Sequence, residues 1–143
     1  MDGWVRYYPP AVFPSIWLKL EELISSGNLR ATEEVLVELK KKEDQVHRWA
    51  KAQSDLFIQI DDGTQEVVST ILANHSRLVD TRKNRSFADP FVIALAYANK
   101  LTVITGEVAS NRLSKPHIPD VCAAMGVSCM SLLGLFQQEG WKV

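Results

Sequence analysis

The sequence holds only two cysteines, Cys122 and Cys129, too few for a disulfide framework or a four-ligand zinc site. Its three histidines, His47, His75 and His117, are scattered and share no metal-ligand spacing. Long hydrophobic runs are missing as well. The longest, Phe91–Ala96 and Ser131–Phe136, fall far below the ~20 residues that cross a bilayer. Met1-Asp2-Gly3-Trp4-Val5-Arg6 has no basic head followed by an apolar stretch, so it does not read as a signal peptide. Nor is one sign of charge in excess. Sixteen basic against seventeen acidic residues give a net charge of -1, which excludes a strongly basic nucleic-acid coat but leaves room for a local basic patch. No repeat of roughly 20–50 residues recurs, which argues against a solenoid. A Gly-rich phosphate loop, a nucleophile elbow and a zinc signature are all lacking.

What is present suits a folded core. The chain has 143 residues, 46% hydrophobic and 23% charged, so a single soluble, cytoplasmic domain over residues 1–143 is expected. Pro14 to Ser26 reads as a helix, with proline near its start, Gly27 past its end, and Ile16, Leu20, Leu23 and Ile24 at helical spacing. Thr32 is a plausible N-cap, and Glu33 and Glu34 occupy the first turn of a helix predicted to run to about Gln53. Phe57-Ile58-Gln59-Ile60 suggests a short strand, and Asp61-Asp62-Gly63-Thr64 a helix start. Residues 75–87 are polar and read as a loop. Asp89-Pro90 predicts an N-cap and first residue of a helix to about Asn99. Leu101–Thr105 and Val127–Ser131 read as strands, with a helix opened by Pro119 between them and a last helix over Leu132–Glu139. Such alternation predicts an α/β fold with a short parallel sheet. Ligands of such sheets bind beyond the carboxyl ends of the strands.

Three carboxylates attract attention, Glu38, Asp89 and Glu107, with Asp120 a fourth. Each also has an ordinary structural reading. Glu38 borders the apolar face of its helix and could pair with Lys41 or Lys42. Asp89 could only cap, Glu107 could only follow a strand, and Asp120 could only favour a first turn. Gathered at one rim, however, such acids repel unless a cation neutralises them. Hard oxygens suit Mg²⁺ or Mn²⁺, which can activate water against a phosphodiester. The segment Arg77–Arg85, with Arg82, Lys83 and Arg85, could hold a nucleic-acid backbone through its phosphates. Trp4, Tyr7 and Tyr8 read mainly as core or edge residues, with stacking on an unpaired base as the other option.

Ala88-Asp89-Pro90-Phe91-Val92-Ile93-Ala94-Leu95-Ala96, then Thr102-Val103-Ile104-Thr105-Gly106-Glu107, resemble the third and fourth acidic motifs of PIN-domain ribonucleases. These are the nucleases of VapC-type toxins in toxin–antitoxin pairs. Glu38, in Glu34-Val35-Leu36-Val37-Glu38-Leu39, is similar to the second motif. Tyr7–Trp17, Arg82–Ser86 and Lys115–Cys122 are similar to a PIN-like prokaryotic subfamily. The resemblance implies a three-layer α/β/α fold and a metal-dependent endoribonuclease. Glu38, Asp89 and Glu107 would be catalytic and metal-holding, with Asp120 a weaker ligand. Mg²⁺ or Mn²⁺ would be the cofactor, RNA the substrate, an antitoxin protein the partner, and the chain a homodimer. Family members begin with a central strand ending in Asp-Thr-Asn or Asp-Thr-Ser, which this sequence lacks. Asp2 aligns with a later family position and does not replace that Asp. A non-catalytic PIN-like module that binds RNA or a protein therefore stays open beside the nuclease. So does, more remotely, an unrelated doubly wound domain for a phosphorylated ligand.

Overall fold

The structure is a computed structural model that describes residue 4 and residues 7–41, 45–79, 87–112 and 114–142. Among the described residues it is a mixed α/β protein, mostly helical, with short parallel strands. It divides into two compact units, Met1–Gln59 with Phe136–Val143, and Ile60–Leu135. No described helix is long and apolar enough to cross a membrane.

In the first unit, α1 (Pro14–Ser25) starts on its proline and buries Ile16, Trp17, Leu20 and Ile24, one stripe at helical spacing. Gly27 follows at φ +83, a conformation only glycine adopts without strain. Strand β1 (Ala31–Thr32) pairs in parallel with β2 (Phe57–Ile58), with Ala31 opposite Phe57 and Thr32 opposite Ile58. Between the strands stand α2 (Glu33–Lys40) and α3 (Gln45–Ala52). A single helix to about Gln53 was expected, and the chain makes two instead. On one straight helix Leu39 and Ala50 would stand roughly 16 Å apart along the axis. They share a buried cluster with Val46, so the apolar residues of both halves meet only if the helix breaks.

The second unit opens on α4 (Asp62–Asn74), whose cap Asp61 Oδ1 accepts the Thr64 N–H at 2.7 Å. A 3-10 turn, Ser76–Leu78, falls where a loop was expected, and its Leu78 plugs the core at 1% exposure. Helix α5 (Asp89–Asn99) buries the consecutive residues Ile93, Ala94, Leu95 and Ala96, so it is covered on most sides. Its cap is Ala88, with αR dihedrals, so Asp89 is the first helical residue and not the N-cap. Strand β3 (Val103–Ile104) pairs in parallel with β4 (Cys129–Met130). Helix α6 (Ile118–Met125) lies between them in the chain and stops at Gly126, φ +71. The core gathers Val68, Ile71, Leu78, Ile93, Val103 and Val121 from α4, the 3-10 turn, α5, β3 and α6. Helix α7 (Leu132–Glu139) has the bounds its sequence predicts.

Candidate functional site

Glu107 stands three residues beyond β3, at the carboxyl end of a parallel strand. Its Oε2 accepts the backbone N–H of Ile118 at 2.9 Å, the first residue of α6. That N–H belongs to a helix start, where free donors and the dipole both favour an anion. Its own N–H donates to Thr105 Oγ1 at 3.1 Å, and Thr105 is buried. The carboxylate is thus aimed by two local bonds, while Oε1 makes no hydrogen bond among the described residues.

Asp120 is used differently. Oδ2 accepts Ser110 N–H at 2.8 Å, Ser110 Oγ–H at 3.0 Å and His117 N–H at 2.8 Å, and Oδ1 accepts Asn111 N–H at 3.0 Å. Burial by itself would raise its pKa, but the bonds from His117, Ser110 and Asn111 outweigh it and hold the carboxyl at about 2. Asn111 takes φ +58, which asparagine tolerates better than most residues. His117 Nδ1 lies 2.7 Å from Val108 O, which makes that nitrogen the donor. Glu107 and Asp120 together therefore tie the connection between β3 and α6 to the helix start.

Asp89 is half-buried in the first turn of α5, where its charge suits the dipole. Glu38 belongs to the first unit. Its Oε1 lies 4.0 Å from Lys41 Nζ, and the lysine side chain is 63% exposed, so this ion pair adds little. One helical turn before it, Glu34 Oε2 is buried and has no hydrogen-bond partner among the described residues, and the same holds for Thr32 Oγ1. Buried acceptors left unpaired cost free energy, on the order of 1–3 kcal/mol each.

Asp89, Glu107 and Asp120 thus share the second unit, and Glu38 lies in the first. Among the described residues, no group of three or more His, Cys, Asp and Glu could hold a metal ion. Arg82, Lys83 and Arg85, and Asp2, lie outside the described residues. Trp4 is buried with its ring 6.5 Å from that of Trp17, so it offers no open face for a base, whereas Tyr7 is 70% exposed. Sequence reasoning missed the orphaned oxygens of Thr32 and Glu34. The only signal for them was the four-residue step from Glu34 to Glu38, which puts both on one helix face. It also missed the hold of Asp120 on Ser110 and Asn111, which no local spacing announces.

The whole chain, residues 1–143, matches the family model described as Domain of unknown function (DUF4411), and the chain belongs to that family. No curated protein and no solved structure matches it.

Proposed function

We propose that the protein is a PIN-like, metal-dependent endoribonuclease of the VapC toxin type, built as a three-layer α/β/α fold. The observation that carries this reading is the Glu107 carboxylate, fixed at a strand's carboxyl end by Ile118 N–H with Oε1 left open. An oriented, half-engaged carboxylate is the donor that Mg²⁺ or Mn²⁺ takes.

Glu38, Asp89 and Glu107 are the proposed metal-holding and catalytic carboxylates. When bound, the ion would supply charge neutralisation and an acidified water. Glu107 keeps its aim through Thr105 and Ile118, and Asp89 stands in the first turn of α5, where the helix dipole favours an anion. Arg82, Lys83 and Arg85 position the RNA backbone through its phosphates. A neutralising antitoxin protein, a homodimeric state and a cytoplasmic location complete the proposal.

One observation favours a second reading. Four hydrogen bonds already engage the two oxygens of Asp120, three of them on Oδ2, which leaves it little capacity as a metal ligand and thins the proposed site. In that reading the domain binds RNA or a protein without cutting. Cleavage of a single-stranded RNA with Mn²⁺, by the wild type and by Asp89→Asn, separates the two. The nuclease reading expects a loss of about 100-fold or more in the variant. Equal cleavage by both overturns it. RNA binding without cleavage by either establishes the binding module.

A further inference from the structure

A second feature of the first unit has no part in the carboxylate chemistry. A groove of about 290 Å³ is lined by Pro10, Pro14, Trp17, Leu18, Glu21 and Trp49, together with Gln45. The two indole rings stand 4.8 Å apart between centroids and at 82° to each other, edge against face; Trp17 is only 4% exposed, so half-buried Trp49 is the ring with surface left for a ligand. Both indole N–H groups are hydrogen-bonded. Trp17 Nε1–H donates to Tyr8 O at 2.7 Å, and Trp49 Nε1–H donates to Glu21 Oε1 at 2.9 Å. Glu21 Oε2 makes no hydrogen bond among the described residues, and Glu21 is the one charged side chain among those lining the groove. Leu18, at the edge, is 60% exposed although it is a large apolar residue.

We propose that the Trp49–Glu21 side of this groove is a recognition pocket for a cationic side chain, arginine or lysine, carried by a basic amphipathic segment of a partner protein. The ring of Trp49 attracts a cation, and the neighbouring Glu21 carboxylate adds a charge-assisted hydrogen bond. The volume lies just below that of drug-sized ligand pockets, roughly 300–1,000 Å³, and suits one long side chain. Leu18 offers an apolar ledge for the neighbouring residue of the same segment. The carboxylate decides the class of partner, because it repels the phosphates of a nucleic acid that would otherwise stack on indoles.

The test uses the full chain and two short acetylated amphipathic peptides, one bearing leucine and arginine on one face, the other glutamine for each arginine. Binding is read from the intrinsic tryptophan emission. The arginine peptide is expected to bind, and Glu21→Gln is expected to weaken it about tenfold, because it removes the charge but keeps an acceptor for Trp49 Nε1–H. Trp49→Phe, which loses that hydrogen bond while keeping a ring, is expected to weaken it as well, and thermal unfolding of both variants verifies the fold. Affinity should fall with added salt. Unchanged affinity in Glu21→Gln overturns the proposal, as does equal binding of both peptides or binding of neither. Displacement of the arginine peptide by a uridine oligonucleotide overturns it in favour of base stacking.

Discussion

Glu107 and Ile118, eleven positions apart, are joined by a 2.9 Å bond from the Ile118 N–H to the Glu107 carboxylate. The bond fastens the end of a parallel strand to the start of the next helix, the region where ligands of parallel sheets bind. One oxygen serves the fold, and the other makes no hydrogen bond among the described residues. A residue in this position serves architecture and chemistry at once, so its substitutions must be read with both in mind.

Asp120 gives the clearest pH signature. Its folded-state pKa of about 2 lies below the ordinary 3.8, so its stabilisation is complete above pH ~4 and drains away as the pH falls toward 2. Asp120→Asn is expected to cost about 2 kcal/mol at neutral pH, because the hydrogen bonds to a charged acceptor are lost or weakened. The difference from the wild type should shrink steadily below pH ~4. Urea denaturation of the two proteins across this range measures it, and a pH-independent difference would contradict the assignment.

Burial pushes the Cys122 thiol up to about 12, with the neighbouring Cys129 thiol adding to the effect, and burial raises Cys129 too. Since the thiolate is the nucleophile, Cys122 should alkylate at mildly alkaline pH on the order of 1,000-fold more slowly in the folded chain than in urea. Peptide mapping after timed iodoacetamide treatment reads this directly. Fast labelling of Cys122 would show that the core packed around it does not shield it.

The basic segment carries its own prediction. If Arg82, Lys83 and Arg85 contact RNA phosphates, their joint replacement by alanine should reduce the slope of log affinity against log salt by about 2 for a single strand. Nitrocellulose filter binding at several salt concentrations gives the slope. An unchanged slope would remove these residues from the interface.

Much of the fold is legible in local chemistry. Pro14, the Asp61 cap and Gly126 mark helix ends because each satisfies or tolerates a backbone need within a few residues. The apolar spacing of α1 likewise finds its buried stripe. The break between α2 and α3 was not legible, because it is decided by Leu39, Val46 and Ala50 packing together, and apolar spacing continues through it. At the candidate site, the position of Glu107 after β3 could be read from the strand pattern. The commitment of Asp120 to Ser110 and Asn111 could not, since it depends on how the preceding loop closes. The Trp49–Glu21 bond spans 28 positions and likewise has no local signal.

Calorimetric titration of Mn²⁺ into the wild type and into Glu107→Gln tests the central claim most directly, because glutamine can still accept the Ile118 N–H while losing the charge. The account predicts micromolar binding by the wild type and at least about tenfold weaker binding by the variant. Superimposable isotherms for the two proteins, or no heat of binding to the wild type, would contradict it.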